Sequence, residues 1–285
     1  MTSPVSAAFL RRFAGNKGAV VGLVIVAVVI LVALIAGVVF PESPWNSSGD
    51  PLLDPLADPA HWLGTDMLGR DIAAGLAHGA RVSLLVGIVS TAVATFIGIS
   101  VGAVAGYYGG RIDDVLMRLT EFFQTIPTLA MAIVLVAIFQ PTLTSIISAI
   151  AIVSWPPVAR LVRGEFLSLR SREFVQAAVV IGQSSPRIIF TQILPNTMSP
   201  IIVTASLMIA TAILTESALS FLGLGDRNLM SWGFMIGAAR TMIREAWWMS
   251  FLPGLAILLT VLAVNLIGEG LNDALNPHLR TRTEP

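Results

Sequence analysis

The chain has 285 residues, 55% of them hydrophobic and only 12% charged, with a mean hydropathy of +0.82; a soluble domain carries about a quarter of charged residues, so this is a membrane composition. Lys plus Arg and Asp plus Glu number 17 each, a balance that lends nucleic-acid binding no support. Cys is absent, which excludes disulfides, thiolate metal sites and a cysteine nucleophile.

Residues 1–18 are short and polar, with Arg11, Arg12 and Lys17 ahead of an apolar run from Ala19 to Phe40. As a helix that run rises about 33 Å, enough to span the hydrocarbon core. A secretory signal has a shorter apolar region, about 7 to 15 residues, and a cleavage site after it. This run exits instead through Pro41 and Glu42, which predicts a retained first span with its basic end in the cytoplasm. Pro41–Gly79 is rich in Pro, Asp and Gly and reads as an outer loop. It holds Gly64-Thr65-Asp66 and Gly69-Arg70-Asp71, whose carboxylates suit turn and helix caps. His61 and His78 are too isolated for a metal site and read as structural.

The second span is expected over about 82–107, with Gly98, Gly102 and Gly106 at the four-residue spacing that lets helices pack closely in lipid. Arg111, Asp113, Asp114 and Arg118 mark a return to water, and a third span follows at about 119–139 with Pro127 as a kink. The fourth covers about 143–159 and leads through Arg160, Arg163, Arg170 and Arg172 into a moderately polar island, residues 172–196.

In that island Phe174, Ala177, Ala178 and Ile181 fall at i, i+3, i+4 and i+7, which predicts a short helix with a narrow apolar stripe centred on two small residues. Gly182 ends it, and Ser185-Pro186 reads as the cap and first position of a second short helix. By spacing alone this is either a docking element or an amphipathic hairpin on the membrane surface. A fifth span follows at about 199–222. Its one carboxylate, Glu216, lies 17 residues above Ser199, about 26 Å along the helix and near the outer hydrocarbon boundary. A charge there must face water, a partner or the bundle interior. It either faces the outer mouth of a pathway and attracts a cationic group, pairs with a base such as Arg240, or snorkels. Residues 223–250 form a second outer segment, with a re-entrant or interfacial helix around 232–243 and an aromatic pair, Trp247-Trp248, suited to the headgroup level. The sixth span covers about 251–271, and Pro277 stops its helix.

Charge tests this topology. Of the 17 Lys and Arg, only Arg70, Arg81, Arg227, Arg240 and Arg244 fall on outer segments, and the other twelve are inner. The excess puts both termini and the 172–196 island in the cytoplasm. No G-x-x-x-x-G-K-[ST] occurs, so the chain has no P-loop and energy must come from outside it. No H-E-x-x-H occurs either, and no base positioned for a serine nucleophile is evident. The sequence thus implies a non-catalytic subunit with no cofactor and no metal.

Four stretches carry a resemblance. Ala177, Ala178, Gly182, Leu194 and Pro195 match the loop E-A-A, three residues, G, nine residues, I-x-L-P, with Gln176 in place of its Glu and Gln192 in place of its Ile. The two outer triplets match G-T-D-x-x-G-R-D. Ser220-Phe221-Leu222-Gly223-Leu224-Gly225 with Ser231-Trp232-Gly233, and the tail 268–280 with departures at Glu269, Asn272 and Asn276, complete the set. The chain resembles the C-type permease of a peptide-type ABC importer in the peptide and nickel branch. That resemblance implies an all-α polytopic membrane protein of about six transmembrane helices with a cytoplasmic coupling-helix loop, set in a bacterial inner membrane among its lipids. It implies a homologous second permease chain, two cytoplasmic ATP-binding subunits or domains, and an extracytoplasmic solute-binding protein. Phe174, Gln176, Ala177, Ala178, Ile181 and Gly182 would then meet an ATPase, and Glu216 is the pathway candidate. The expected divisions are 1–78 (first span and outer loop), 79–275 (a five-helix core) and 276–285 (a cytoplasmic tail). Few His and no Cys favour peptides over nickel as cargo. An ion-coupled transporter or channel would carry more membrane-buried charges than this chain offers; a purely structural membrane subunit is the remaining alternative.

Overall fold

The computed structural model describes residues 4–275. The expected tail, with Asn276, Pro277, His278, Arg280 and Arg282, lies outside the described residues.

Among the described residues the chain is helical with no strand, and its eleven α-helices follow the apolar runs. A short helix, α1 (Pro4–Gly15), precedes α2 (Lys17–Val39). Asn16 caps α2 by accepting from the Ala19 N–H at 3.0 Å and donates its side-chain amide to Asp273. The next membrane helix, α3 (Ile72–Tyr108), begins ten residues earlier than the second span expected from hydropathy. Asp71 starts it by accepting from the Ala73 N–H, and no proline interrupts the stretch that follows. At 37 residues it rises about 55 Å, well beyond the hydrocarbon, and the last eight positions assigned to the outer loop, Ile72–Gly79, are its first turns.

The third span is not a kinked rod. Helices α4 (Gly110–Thr125) and α5 (Thr128–Phe139) meet at 87°. Pro127 lacks an N–H and forces Ile126 out of the helical region, to φ −91°, ψ 130°. Helix α6 (Leu143–Arg170) runs eleven residues past the expected end of the fourth span, with Pro156 and Pro157 inside it. After it come α7 (Glu173–Val180) and α8 (Ser185–Ile188), the latter with Ser184 rather than Ser185 at its N-cap position and with no side-chain cap bond. A π-turn over Ile189–Ile193 then joins α8 to α9 (Leu194–Leu219). Pro195, having no N–H to give, falls in the first turn of α9. The fifth span therefore grows without a break out of the short second helix instead of beginning after Pro195. A second π-turn at Ser220–Leu224 ends it, followed by α10 (Trp232–Ala239) and α11 (Trp248–Leu275).

Five of these helices, with α8 and α9 taken as one, are long and apolar enough to cross a membrane, and the bent α4–α5 pair passes the same test only when its two arms are counted as one span. Asn16 meets Asp273 at one end of the bundle, and Thr65 meets Trp248 at the other. The bundle therefore has a basic end, with Arg163 and Arg170, and a loop end, with residues 40–71 and 225–247.

The most extensive contact in the core joins α3 to α6. Gly98, Gly102 and Gly106 all face α6, and a Cβ on Gly102 would lie 2.4 Å from the Ala159 carbonyl oxygen. The small-residue spacing serves helix packing, which is where stability in lipid comes from. Helix α2 lies outside this pair, against α3 and α11.

Candidate functional site

At the basic end the island between α6 and α9 folds back on the bundle. Val175 and Ala178 of α7 are buried with Ile188, Ile189 and Ile193, against Val162 and Phe166 of α6. Gly182 takes φ +80° and closes the turn. The opposite face of α7 stays open: Phe174 and Ala177 are exposed, Val180 is 85% and Ile181 73% exposed, and Val179 and Phe190 continue the patch. The expected single stripe is thus split. Ala178 looks inward, while Phe174, Ala177 and Ile181 look out with Val179 and Val180. Val175 with Ala178 sets the inward side, and the hydrophobic run Ala177–Ile181 supplies both faces.

Gln176 has a definite job. Its amide Nε2 donates to the Arg170 carbonyl at 3.0 Å and ties α7 to the end of α6. A carboxylate at this position could only accept, so the Gln that replaces the usual Glu makes a bond that Glu cannot. Beside the island, Arg163 holds Asp113 through two hydrogen bonds of 3.0 and 2.6 Å, and Arg160 donates to Gln124 at 2.6 Å. These contacts lock α4 across α6. Nothing in the local sequence announces a partner 50 residues away.

At the loop end Glu216 is 2% exposed. It neither opens to water nor meets Arg240, which is exposed. Its Oε1 accepts from Ser220 Oγ and from Ser231 Oγ, both at 2.7 Å. Ser231 in turn accepts from the Phe234 N–H and caps α10. The carboxylate therefore joins the end of α9 to α10, a role that pairing with a base or facing a pathway mouth did not anticipate. Its partners are serines, which carry no charge and give no sequence signal. The Trp247-Trp248 pair is also divided: Trp247 is exposed, whereas Trp248 is buried and donates Nε1–H to the Thr65 carbonyl at 3.1 Å.

The two outer triplets form a compact knot. Thr65 Oγ1 donates to the Asp50 carbonyl and accepts from the Leu53 N–H. Asp66 accepts from the N–H groups of Leu68 and Arg70 and pairs with Arg70 Nε at 2.5 Å. Gly64 sits at φ +80° with a would-be Cβ 2.4 Å from the Leu53 carbonyl, so only glycine fits. Burial pushes the Asp71 carboxyl above its ordinary range. Here too lies a base that sequence reading missed. His61 Nε2 is 2.9 Å from Ser48 Oγ, and its Nδ1 is 3.0 Å from Asp58 Oδ2. The order Ser, His, Asp resembles a hydrolytic relay, but the N–H groups of Ser48 and Gly49 both donate to the Gly69 carbonyl. Neither is free to stabilise an oxyanion, so the relay acts as a staple of the loop.

A long loop knotted against the bundle, a membrane core of α3 to α11 and a short helix projecting between α6 and α9 are the parts that comparison with known proteins can now place. Residues 98–281 match the family model of the binding-protein-dependent transport system inner membrane component. The chain belongs to that family. Residues 5–56, which cover α1 from its second residue, α2 and the start of the loop, match the N-terminal TM domain of oligopeptide transport permease C. Among relatives of this permease, the dipeptide transport system permease protein DppC of Escherichia coli (strain K12) is 43% identical over 95% of this chain and 93% of its own. The di/tripeptide transport system permease protein DppC of Pseudomonas aeruginosa is 42% identical over 95% and 92%. The oligopeptide transport system permease protein OppC of Bacillus subtilis is 39% identical over 95% and 89%. In fold the permease is similar to a chain of the inward-facing MetNI methionine ABC transporter, with a TM-score of 0.56 at 18% identity, over 69% of this chain and 96% of that one.

Proposed function

We propose that this permease is one of two membrane subunits of an ATP-driven importer of di- or oligopeptides, and that residues 172–196 couple it to ATP-binding subunits. The observation that carries the coupling role is the open apolar face of α7, Phe174, Ala177, Val180 and Ile181, at the basic end of the bundle. An apolar patch held in water on a short helix is a docking surface. The peptide cargo rests on what the relatives are named for, not on any binding residue in this chain.

In this reading the second permease chain completes the pathway, a solute-binding protein delivers peptide at the loop end, and closure of the ATP-binding subunits moves α7. The motion reaches the bundle because Val175 and Ala178 pack on α6 and Gln176 is bonded to its last turn. The basic end faces the cytoplasm, since Lys and Arg concentrate there. Residues 79–275 act as the core that switches, with α2 and the outer loop attached to it. Glu216 serves as a tie between α9 and α10.

Proteoliposomes containing the complete transporter test this. Uptake of labelled dipeptide should require binding protein and ATP and should persist when ion gradients are collapsed by ionophores. Uptake without ATP, driven by an ion gradient, overturns the reading; uptake of nickel but not peptide overturns its cargo. Orientation is checked with cysteine probes at the exposed Ser48 and Asn228, unambiguous in a chain without native Cys. Both should react with an impermeant reagent in spheroplasts, and protection of both reverses the topology.

A further inference from the structure

The α4–α5 run and α6 are both interrupted at one level of the bundle. Between α4 and α5, Ile126 is extended and Pro127 cannot continue the helix, so the two arms meet at 87°. In α6, Pro156 and Pro157 stand in tandem. Neither has an N–H, so the carbonyls of Ile152 and Val153 lose the donors that would stand four residues on. The two interruptions are neighbours. Phe123 lies edge-on to Trp155 with ring centroids 5.4 Å apart, and Gln124 accepts from Arg160 at 2.6 Å, so the last turn of α4 is fastened on either side of the proline pair. Helix α3 passes the same level without a proline, and the residue that it sets against Val158 and the Trp155 carbonyl is Gly98.

On each side of this level the helices pack as a unit. Toward the loop end, Ala132 and Val136 of α5 are buried with Ile146, Ile150 and Val153 of α6. Toward the basic end, Arg163 of α6 holds the buried Asp113 of α4 through two hydrogen bonds. There α7 rests on Val162 and Phe166 and is tied by Gln176 to the Arg170 carbonyl. These anchors of α7 on α6 all lie beyond Pro157. A helix short of two ladder bonds bends at that point, whereas close-packed segments resist deformation.

We propose that Ile126–Pro127 and Pro156–Pro157 form one hinge across the bundle, about which α4, the basic-end half of α6 and α7 swing as a single block. The proposal rests on the coupling role given to α7 above and adds where its motion goes. Displacement of α7 passes to α6 through Val162, Phe166 and Arg170, and from α6 to α4 through the Asp113–Arg163 pair. At the proline level it turns into bending, so α5 and the loop-end half of α6 stay with the rest of the bundle. A permease that moved as one rigid body would have no use for two interruptions side by side.

The lack of native Cys lets spin labels be placed on the assembled transporter without background. Asp114→Cys and Ile138→Cys put labels at exposed positions on the two arms of the bend, each about 17 Å from it and so about 24 Å apart. A swing of about 10° changes that separation by about 2 Å. ATP binding should change it, while the separation of Asp114→Cys from Ser168→Cys, both within the block, should stay fixed. Pro156→Ala/Pro157→Ala gives α6 back two N–H donors. In that variant the ATP-binding subunits should still co-purify and hydrolyse ATP, but the change between 114 and 138 should shrink and peptide taken up per ATP should fall at least about five-fold. Should the double variant fail to assemble, Pro157→Ala, at an exposed position, takes its place. A separation of 114 from 138 that ATP binding leaves constant, with the ATP-binding subunits docked and hydrolysing, overturns the hinge while the coupling role of α7 stands. A changed separation of 114 from 168 overturns it as well, and so does undiminished uptake per ATP in the proline variants.

Discussion

The knot at the loop end and the island at the basic end are both connections between membrane helices, yet they are built on opposite principles. In residues 40–71 the side chains find their partners within the chain: Thr65 to Asp50 and Leu53, Asp66 to Arg70, His61 to Ser48 and Asp58, and Trp248 down onto Thr65. In residues 172–193 the polar contacts are few, and aliphatic side chains stand in the open. Both regions also expose apolar side chains, Leu56, Trp62 and Leu68 in the knot and Val179, Val180 and Ile181 in the island, so the difference lies in how densely polar side chains tie the knot to itself. On the function proposed above, the densely bonded knot is the fixed part of the permease and the loosely bonded island the coupled part.

The sharpest way to break this contrast is at the buried pair. Asp66→Ala leaves the Arg70 guanidinium buried without its carboxylate and removes the acceptor of two backbone N–H groups, a loss of about 3 to 5 kcal/mol. The expected result is a collapse in the yield of folded permease and a lower melting temperature in detergent, with or without the partner subunits. A variant as stable as wild type would show that the knot is not a self-supporting cap.

Next in size is the island. Ile181→Glu places a charge on the open face and forfeits burial worth about 1.5 to 3 kcal/mol, a ten- to hundred-fold weakening of subunit docking. Permease yield and melting should stay as in the wild type, and peptide uptake and co-purification of the ATP-binding subunits should fall together. Ala178→Arg is a poorer probe than the apolar stripe suggested, because Ala178 is buried against α6 and the variant would disturb the permease itself. Unchanged co-purification of Ile181→Glu would remove the docking role from α7.

The two regions also differ in how far sequence could read them. Hydropathy found the membrane crossings, and the G-x-x-x-G spacing found the α3 face that meets α6, because in lipid both depend on local composition. Helix ends were harder: the first turns of α3 are rich in Gly and Ala and follow loop-like residues, and a proline that bends one helix by 87° passes unremarked inside another, as Pro156 does in α6. Side-chain partners far apart in the chain left no trace. Asp113 with Arg163, Ser48 with His61, and Glu216 with Ser231 became visible only when folding brought them together. The motif residues of the island were legible as a helix and a turn, but the division between inward Ala178 and outward Ala177 depends on how α7 lies on α6.

Glu216 tests whether the cap extends into the bundle. Glu216→Leu orphans the hydroxyls of Ser220 and Ser231, about 1 to 3 kcal/mol of lost stability. It should loosen α10, seen as faster amide exchange from 231 to 239, while leaving ATPase docking intact. Glu216→Gln, which keeps one acceptor oxygen, should fall between. Full exchange protection in Glu216→Leu would detach α10 from this tie; a loss of uptake for amino-terminally charged peptides alone, with α10 still protected, would restore a pathway role.

The smallest effect lies in the histidine staple and is read by acid. Asp58 is held below the ordinary carboxylate range, chiefly by the Ala60 N–H that it accepts and then by its hydrogen bond to His61. A carboxyl whose folded pKa is depressed contributes stability above its unfolded value of 3.8 and loses that contribution as pH falls through the lower folded value. Asp71 works in the opposite sense, since burial raises its pKa and its ionised form costs stability as pH rises. From neutral pH down to about 4 the Asp58 contribution should therefore be constant, and below that the loop should loosen slightly, since the pair is open to solvent. Fluorescence of Trp62, beside His61, reports it, with Trp62→Phe as the blank. Asp58→Asn should remove the acid-induced change while leaving the neutral-pH signal nearly as it was. An acid response of equal size in that variant would leave the staple without a role in holding the loop.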